Sequence, residues 1–199
     1  MAAKSIISRP VYGKLSPQPG RNHLLIADVE GAAAILDLAK AAPENFFAGA
    51  HIIYIPSPAS TASSAALEAL KPAQFYEGHS FASALPRLKQ TLANAHMGLR
   101  LYLAGTEGLI GQAMQVALEA GIDHISIQTE HRGSLARRMQ CVHCKGITEN
   151  VTTQPATCSH CGLLLLVRDH YSRRIAAFQG VCINAEDQSE QVPIEEMFR

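Results

Sequence analysis

The stretch CVHCKGITENVTTQPATCSHC, from Cys141 to Cys161, contains two Cys-x-x-Cys pairs. Two residues between cysteines let one tight turn aim both sulfurs at a common point, and two such turns supply the four ligands of a tetrahedral ion at about 2.3 Å. The 13 residues between Cys144 and Cys158 are enough for a strand, a turn and a return, near the spacing of four-cysteine zinc modules. Cys141, Cys144, Cys158 and Cys161 are therefore the expected metal ligands, and this part of the chain is expected to fold around them as a small β module. Four thiolates fill the ion's shell and leave no position for water, so a zinc ion held this way is structural. No residue is assigned a catalytic role. His143 and His160 lie inside the knuckles and are read as exposed knuckle residues, and Cys182 as a small buried side chain.

Zinc and iron both suit such a ligand set, and iron would make the module an electron carrier resembling rubredoxin. Rubredoxin knuckles normally carry glycine directly after the second cysteine. Gly162 fits that pattern, but Lys145 stands at the equivalent place in the first knuckle, and the gap between pairs is shorter than a rubredoxin's. Zinc is the expected ion, with iron as the alternative.

The remaining composition is that of a folded chain of one ordinary domain plus a small module: 199 residues, 47% hydrophobic and 17% charged. No apolar run approaches the roughly 20 residues of a membrane span, and the start, MAAKSIISRP, lacks a secretory signal's apolar core. The cytoplasm is the expected address, in keeping with free cysteines. The net charge is zero but unevenly spread. Between His131 and Cys182 stand seven cations, Arg132, Arg137, Arg138, Lys145, Arg168, Arg173 and Arg174, against Glu149 and Asp169. This basic segment suggests an acidic partner surface, with Arg137, Arg138, Arg168, Arg173 and Arg174 as candidate contacts.

Upstream, short apolar runs at 23–27, 50–55, 99–103 and 124–128, with a weaker one at 74–76, read as buried parallel strands. Between them, 32–41, 61–70, 81–95 and 109–120 read as amphipathic helices, the last ending at Gly121. Alternation of this kind predicts an open α/β sheet with right-handed crossovers. Beyond it, Asp169-His170-Tyr171-Ser172 reads as a hairpin turn, and the acidic tail from Asn184, ending in Met197 and Phe198, as a frayed terminus or a docking peptide. The expected organisation is an N-terminal extension (1–22), an α/β domain (23–135), a four-cysteine ribbon (136–183) and a tail (184–199). His23, His51, His79, His96 and His124 look scattered, without local pairing.

In such a sheet, ligands bind beyond the carboxyl ends of the strands. Two loops stand there: Asp28-Val29-Glu30-Gly31, and Ala104-Gly105-Thr106-Glu107-Gly108. Both resemble landmarks of the nucleotide domain of ferredoxin-NADP reductases, since LLIADVEGAAA (24–34), YLAGTEGLIGQAMQVALEAGI (102–122) and HISIQTE (124–130) follow that family's order. The resemblance would place nucleotide contacts at Gly31, Gly105, Thr106 and Glu107. Asp28 and Val29, however, replace two glycines that would let backbone amides approach a pyrophosphate, and Asp28 with Glu30 adds negative charge there. The expectation is a degenerate nucleotide fold that does not hold NADPH tightly.

The segment CVHCKG…CSHCGLLLLVRDHYSRRIAAFQGVCINAED, together with this domain, resembles the DmmA-like small subunit of bacterial dimethylamine (secondary-amine) monooxygenase. The resemblance implies a complex that uses NADPH and oxygen to convert dimethylamine to methylamine and formaldehyde. Haem, flavin and an iron-sulfur cluster would belong to haem-bearing and reductase partner subunits, which this chain would organise. The other readings are an iron-bearing electron-transfer subunit, an NADPH-binding subunit and a nucleic-acid-binding zinc ribbon. Zero net charge and few aromatic residues near the knuckles argue against the last.

Overall fold

The computed structural model describes residues 8–57, 61–187 and 192–199. The described residues form two compact units, one within 12–133 and one joining 8–11 to those from 134 onward. No helix among the described residues is long and apolar enough to cross a membrane.

In the first unit, β1 (Asn22–Asp28), α1 (Gly31–Ala41), β2 (Ala50–Ile55), α2 (Thr61–Glu68), β3 (Gln74–Glu77), α3 (Phe81–Ala93), β4 (Leu99–Gly105), α4 (Glu107–Glu119) and β5 (Ile127–His131) follow in order. All four strand pairings are parallel, in the order β3-β2-β1-β4-β5. Successive residues of a strand face opposite sides, and both sides here are apolar. Leu25, Ala27, Ile52, Tyr54, Tyr102 and Ala104 pack with α1 and α2. Leu24, Ile26, Ile53, Leu101 and Leu103 pack with α3 and α4. That two-sided burial explains why these strands read as continuous apolar runs.

Local signals fix the helix ends. Ser80 and Ser83 form a reciprocal capping box at α3. At the end of α4, Gly121 takes φ +82, and the amides of Gly121 and Ile122 donate to Leu118 and Ala117, a Schellman closure. The fifth strand begins later than 124, because Asp123 accepts from the amide of Ile125 and caps a 3-10 turn over His124–Ser126.

Residues 12–22, expected as part of an extension, belong to this unit. Leu15 is buried, and its amide donates to the buried carboxylate of Glu130 at 2.7 Å. Gly13 donates to the carbonyl of Thr129.

The second unit contains β6 (Arg137–Cys141), β7 (Ile147–Val151), β8 (Thr153–Gln154), β9 (Ala156–Thr157), β10 (Leu164–Ser172), β11 (Ala177–Cys182) and β12 (Glu195–Glu196). Five strands form a sheet in the order β7-β6-β11-β10-β9. The expected turn at Asp169–Ser172 is instead bulged strand, with a register shift between Arg168 and Tyr171. Those polar residues are held by Ser8 and Arg9: the amide of Tyr171 donates to the Ser8 carbonyl, and Arg9 pairs with Asp169. The chain turns later, over Arg173–Ala176, where Ala176 adopts φ +49.

The end of the tail is docked, not frayed. β12 pairs with β8, the amides of Met197 and Phe198 donate to the Thr152 carbonyl at 2.8 Å, and Phe198 is buried.

Candidate metal centre

The two Cys-x-x-Cys pairs sit in matching knuckles at the mouths of hairpins. In the first, the Cys141 amide donates to the Gly146 carbonyl and the Lys145 amide to the Cys141 carbonyl. In the second, the Cys158 amide donates to Leu163 and the Gly162 amide to Cys158. Closing each turn requires a left-handed residue after the second cysteine; Gly162 has φ +75 and Lys145 φ +62. Lysine thus adopts the glycine conformation, with its Nζ donating to the Val142 carbonyl at 2.6 Å. The identity of residue 145 therefore does not distinguish a zinc knuckle from an iron one, contrary to the sequence expectation.

The four sulfurs all lie within 4.8 Å of one another. Sγ of Cys141 is 3.8 Å from Cys161, and Cys144 is 3.7 Å from Cys158. A tetrahedron of thiolates about 2.3 Å from a central ion has edges of about 3.8 Å, so the donor set fits one ion. Cys141 and Cys158 are buried, Cys161 is partly buried and Cys144 is exposed.

Backbone amides tune the thiols. Burial pushes Cys158 up, but amides of Cys161 and His160 pointing at its sulfur, with the neighbouring thiols, hold it down to about 6. Cys161 receives the Leu163 amide, which lowers it, yet burial and the surrounding sulfurs push it up to about 12. Four thiols this close cannot all ionise without a cation among them. His160 is not a ligand: its Nε2 lies 2.9 Å from the carbonyl of Ile147, and its ring covers Gly146, where a Cβ would collide with it. Cys182 is only partly buried, its thiol 3.6 Å from Oδ1 of Asn184.

The basic candidates separate. Arg137 is buried, pairs with Asp169 at 2.8 Å and lies between the rings of Phe178 and Phe198, 4.1 and 4.0 Å from their centroids. It holds the module together and is not available as an outward contact, which corrects its selection on charge alone. Arg138 binds Glu149 and the Ile175 carbonyl. Arg168, Arg173 and Arg174 remain exposed.

In the first unit the structure brings the two strand-end loops together at the β1–β4 boundary, where strand order reverses. Asp28 bridges them: its Oδ1 accepts from the Thr106 amide at 2.9 Å and its Oδ2 from the Thr106 hydroxyl at 2.5 Å. Thr106 also caps α4 by accepting from the Leu109 amide. Burial raises the Asp28 carboxyl above its ordinary range, against the lowering by the two Thr106 bonds. The backbone is tight as well: a Cβ on Gly31 would overlap the Ala104 carbonyl, and one on Gly105 would overlap the Asp28 carboxylate. Glu107 occupies the first turn of α4. An internal carboxylate therefore lies where a bound phosphate would meet a helix start.

Sequence reasoning missed one grouping. His23 and His51 open neighbouring parallel strands at the opposite, amino end of the sheet and border one cleft there, with their rings on opposite faces. Their common place at strand starts was the available signal.

Strand order and donor set together define a doubly wound α/β unit and a four-cysteine ribbon whose sulfurs could hold one metal ion. The chain belongs to the DmmA-like family of dimethylamine monooxygenase subunits, matching its N-terminal domain over residues 4–127 and its C-terminal domain over 138–181. It is 37% identical over 101 residues to the heme-dependent oxidative N-demethylase delta subunit of Ectopseudomonas mendocina (strain ymp). That match spans 50% of this chain and 57% of the relative. Among solved structures, the flavohem-like FAD/NAD binding domain of nitric oxide dioxygenase from Vibrio cholerae O1 biovar El Tor aligns with TM-score 0.43 and 20% identity, over 62% of this chain and 56% of that one. Phthalate dioxygenase reductase aligns with TM-score 0.47 and 12% identity, over 68% of this chain and 45% of that one.

Proposed function

We propose that this chain is a zinc-stapled accessory subunit of a cytoplasmic, NADPH- and oxygen-dependent dimethylamine monooxygenase, a complex that converts dimethylamine to methylamine and formaldehyde. Its role is to organise the contact between haem-bearing and flavin/iron-sulfur reductase subunits. The observation that carries the reading is that both places where this chain would do chemistry are filled by its own groups. Four thiolates complete a tetrahedral shell, and the Asp28–Thr106 bridge closes the strand-end loop. NADPH is accordingly assigned to a partner subunit. The ribbon presents Arg168, Arg173 and Arg174 as the contact surface, with Arg138 contributing through its aliphatic stem.

Co-purification tests this directly. The tagged chain should retain both larger subunits, and R173E/R174E should weaken retention more at low salt than at high salt. Turnover unchanged in a complex lacking this chain would refute the role, and saturable NADPH binding to the isolated chain would refute the assignment of nucleotide elsewhere.

The shared left-handed geometry of Lys145 and Gly162 fits a second reading equally well, iron at the same four thiolates, which would make the ribbon an electron carrier. Metal analysis with an absorption spectrum separates the two: zinc gives a colourless protein, ferric thiolate a red one.

A further inference from the structure

The cleft at the amino end of the sheet, about 390 Å³, lies at the opposite end of the strands from Asp28 and has no role in the reading above. Its walls are the first residues of β1 to β4 and the second half of α3. No acidic residue is among those lining it.

Its one cation, Arg87, is held by neutral acceptors. Nη2 donates to Oε1 of Gln74 at 2.6 Å, and Nε lies 3.5 Å from Nε2 of His51. The network fixes the His51 tautomer. The Thr91 hydroxyl donates to the Arg87 carbonyl at 2.9 Å, so at 3.1 Å it must accept from His51 Nδ1. That leaves Nε2 bare to accept from Arg87. Burial and the Arg87 charge hold His51 down to about 4, so it remains a neutral positioning residue at physiological pH. Arg87 has no carboxylate partner among the described residues, and three of its five N–H groups have no acceptor in this network.

His23, on the neighbouring strand, stands apart from this network: in register with Ala50 and stacked on Phe46 at 4.0 Å, its ring lies on the opposite face of the sheet from His51 and Arg87. Burial and the nearby Arg100 lower its pKa.

A guanidinium without a counterion and the side-chain amides of Gln90 and Asn94 make a donor-rich, acid-free cleft. The closing end of α3 contributes about half a negative charge at one rim. The full charge of Arg87 outweighs it. We propose that this cleft binds a small oxyanion-bearing metabolite, a carboxylate or a phosphate ester, with Arg87 gripping the oxyanion and the amides of Gln90 and Asn94 donating to it. The volume sits at the small end of ligand pockets, which excludes a dinucleotide.

The test is titration of the full-length, metal-replete chain with inorganic phosphate and, separately, acetate, following the histidine ring signals by NMR. Saturable shifts of His51 are expected with at least one probe. Phosphate alone would identify a phosphate ester, acetate alone a carboxylate, and both an oxyanion site that accepts either. Arg87→Gln should weaken binding about tenfold or more, as expected for loss of charge-assisted hydrogen bonds. Asn94→Asp, which leaves the Arg87 network in place, should weaken it too, so a folding defect in one variant does not decide the outcome. No shift with either probe, or shifts of equal affinity in both variants, would overturn the site.

Discussion

Replacing Gly105 by alanine should unlock the strand-end loop. The new Cβ would overlap Oδ1 of Asp28 and stand 2.8 Å from its Cγ, so the carboxylate must leave. Its departure breaks the bonds to the Thr106 amide and hydroxyl at 2.9 and 2.5 Å, each worth about 1.5–3 kcal/mol for a charged acceptor. Alanine at φ +128 adds strain of about 1–3 kcal/mol. Recovered hydration of the freed carboxylate offsets part of this, leaving a net loss of about 4 kcal/mol, a large share of the roughly 5–15 kcal/mol that holds a domain folded. Urea unfolding of the wild type, G105A, D28A and the double variant measures it. Asp28→Ala breaks the same two bonds, so the double variant should fall short of the summed single losses by about 2 kcal/mol. A loss below about 1 kcal/mol in G105A, or strict additivity, would refute the bridge as the element that closes this loop.

Chelation, or Cys158→Ser, should release one metal ion per chain and unfold the ribbon, since metal-coupled folding of such modules is worth about 10 kcal/mol; atomic absorption together with near-ultraviolet circular dichroism reads both. Phe198→Ala removes one wall of the Arg137 sandwich and should destabilise the ribbon by about 3 kcal/mol, visible as faster proteolysis of the β6–β11 region. Acid should act oppositely on two aspartates. The Arg9 and Arg137 guanidiniums lower Asp169, so its stabilisation is complete above the ordinary value of 3.8 and is lost as pH falls through the depressed value. The Asp28 carboxyl is raised, so its contribution is fullest below 3.8 and declines as pH rises towards the folded value. D169N and D28N should each abolish the corresponding slope in pH-dependent unfolding.

Much of this was legible in the chain itself. Continuous apolar runs placed β1, β2 and β4 because those strands are buried on both faces, and the knuckle spacing picked out the four cysteines whose sulfurs the fold brings together. The errors arose where side chains overrule local composition. Asp169–Ser172 has turn chemistry, but Ser8 and Arg9, more than 150 residues away, hold it as strand. The turn then falls on Arg173–Ala176, which contains no glycine to announce it. Arg137 looked like surface charge because nothing local reveals that Phe178 and Phe198 close over it. His23 and His51 looked unrelated until parallel pairing placed both at one sheet edge.

The Asp28 bridge also makes this protein its own competitor. A phosphate arriving from solution would contend for the Thr106 amide and hydroxyl with a carboxylate fixed on the adjacent strand end. Tethering alone gives such a group an effective concentration in the millimolar range, and rigid placement raises it by orders of magnitude. A solution anion must therefore displace a tethered group to reach these donors, and the reversal point of the sheet acts as a receptor that carries its own ligand.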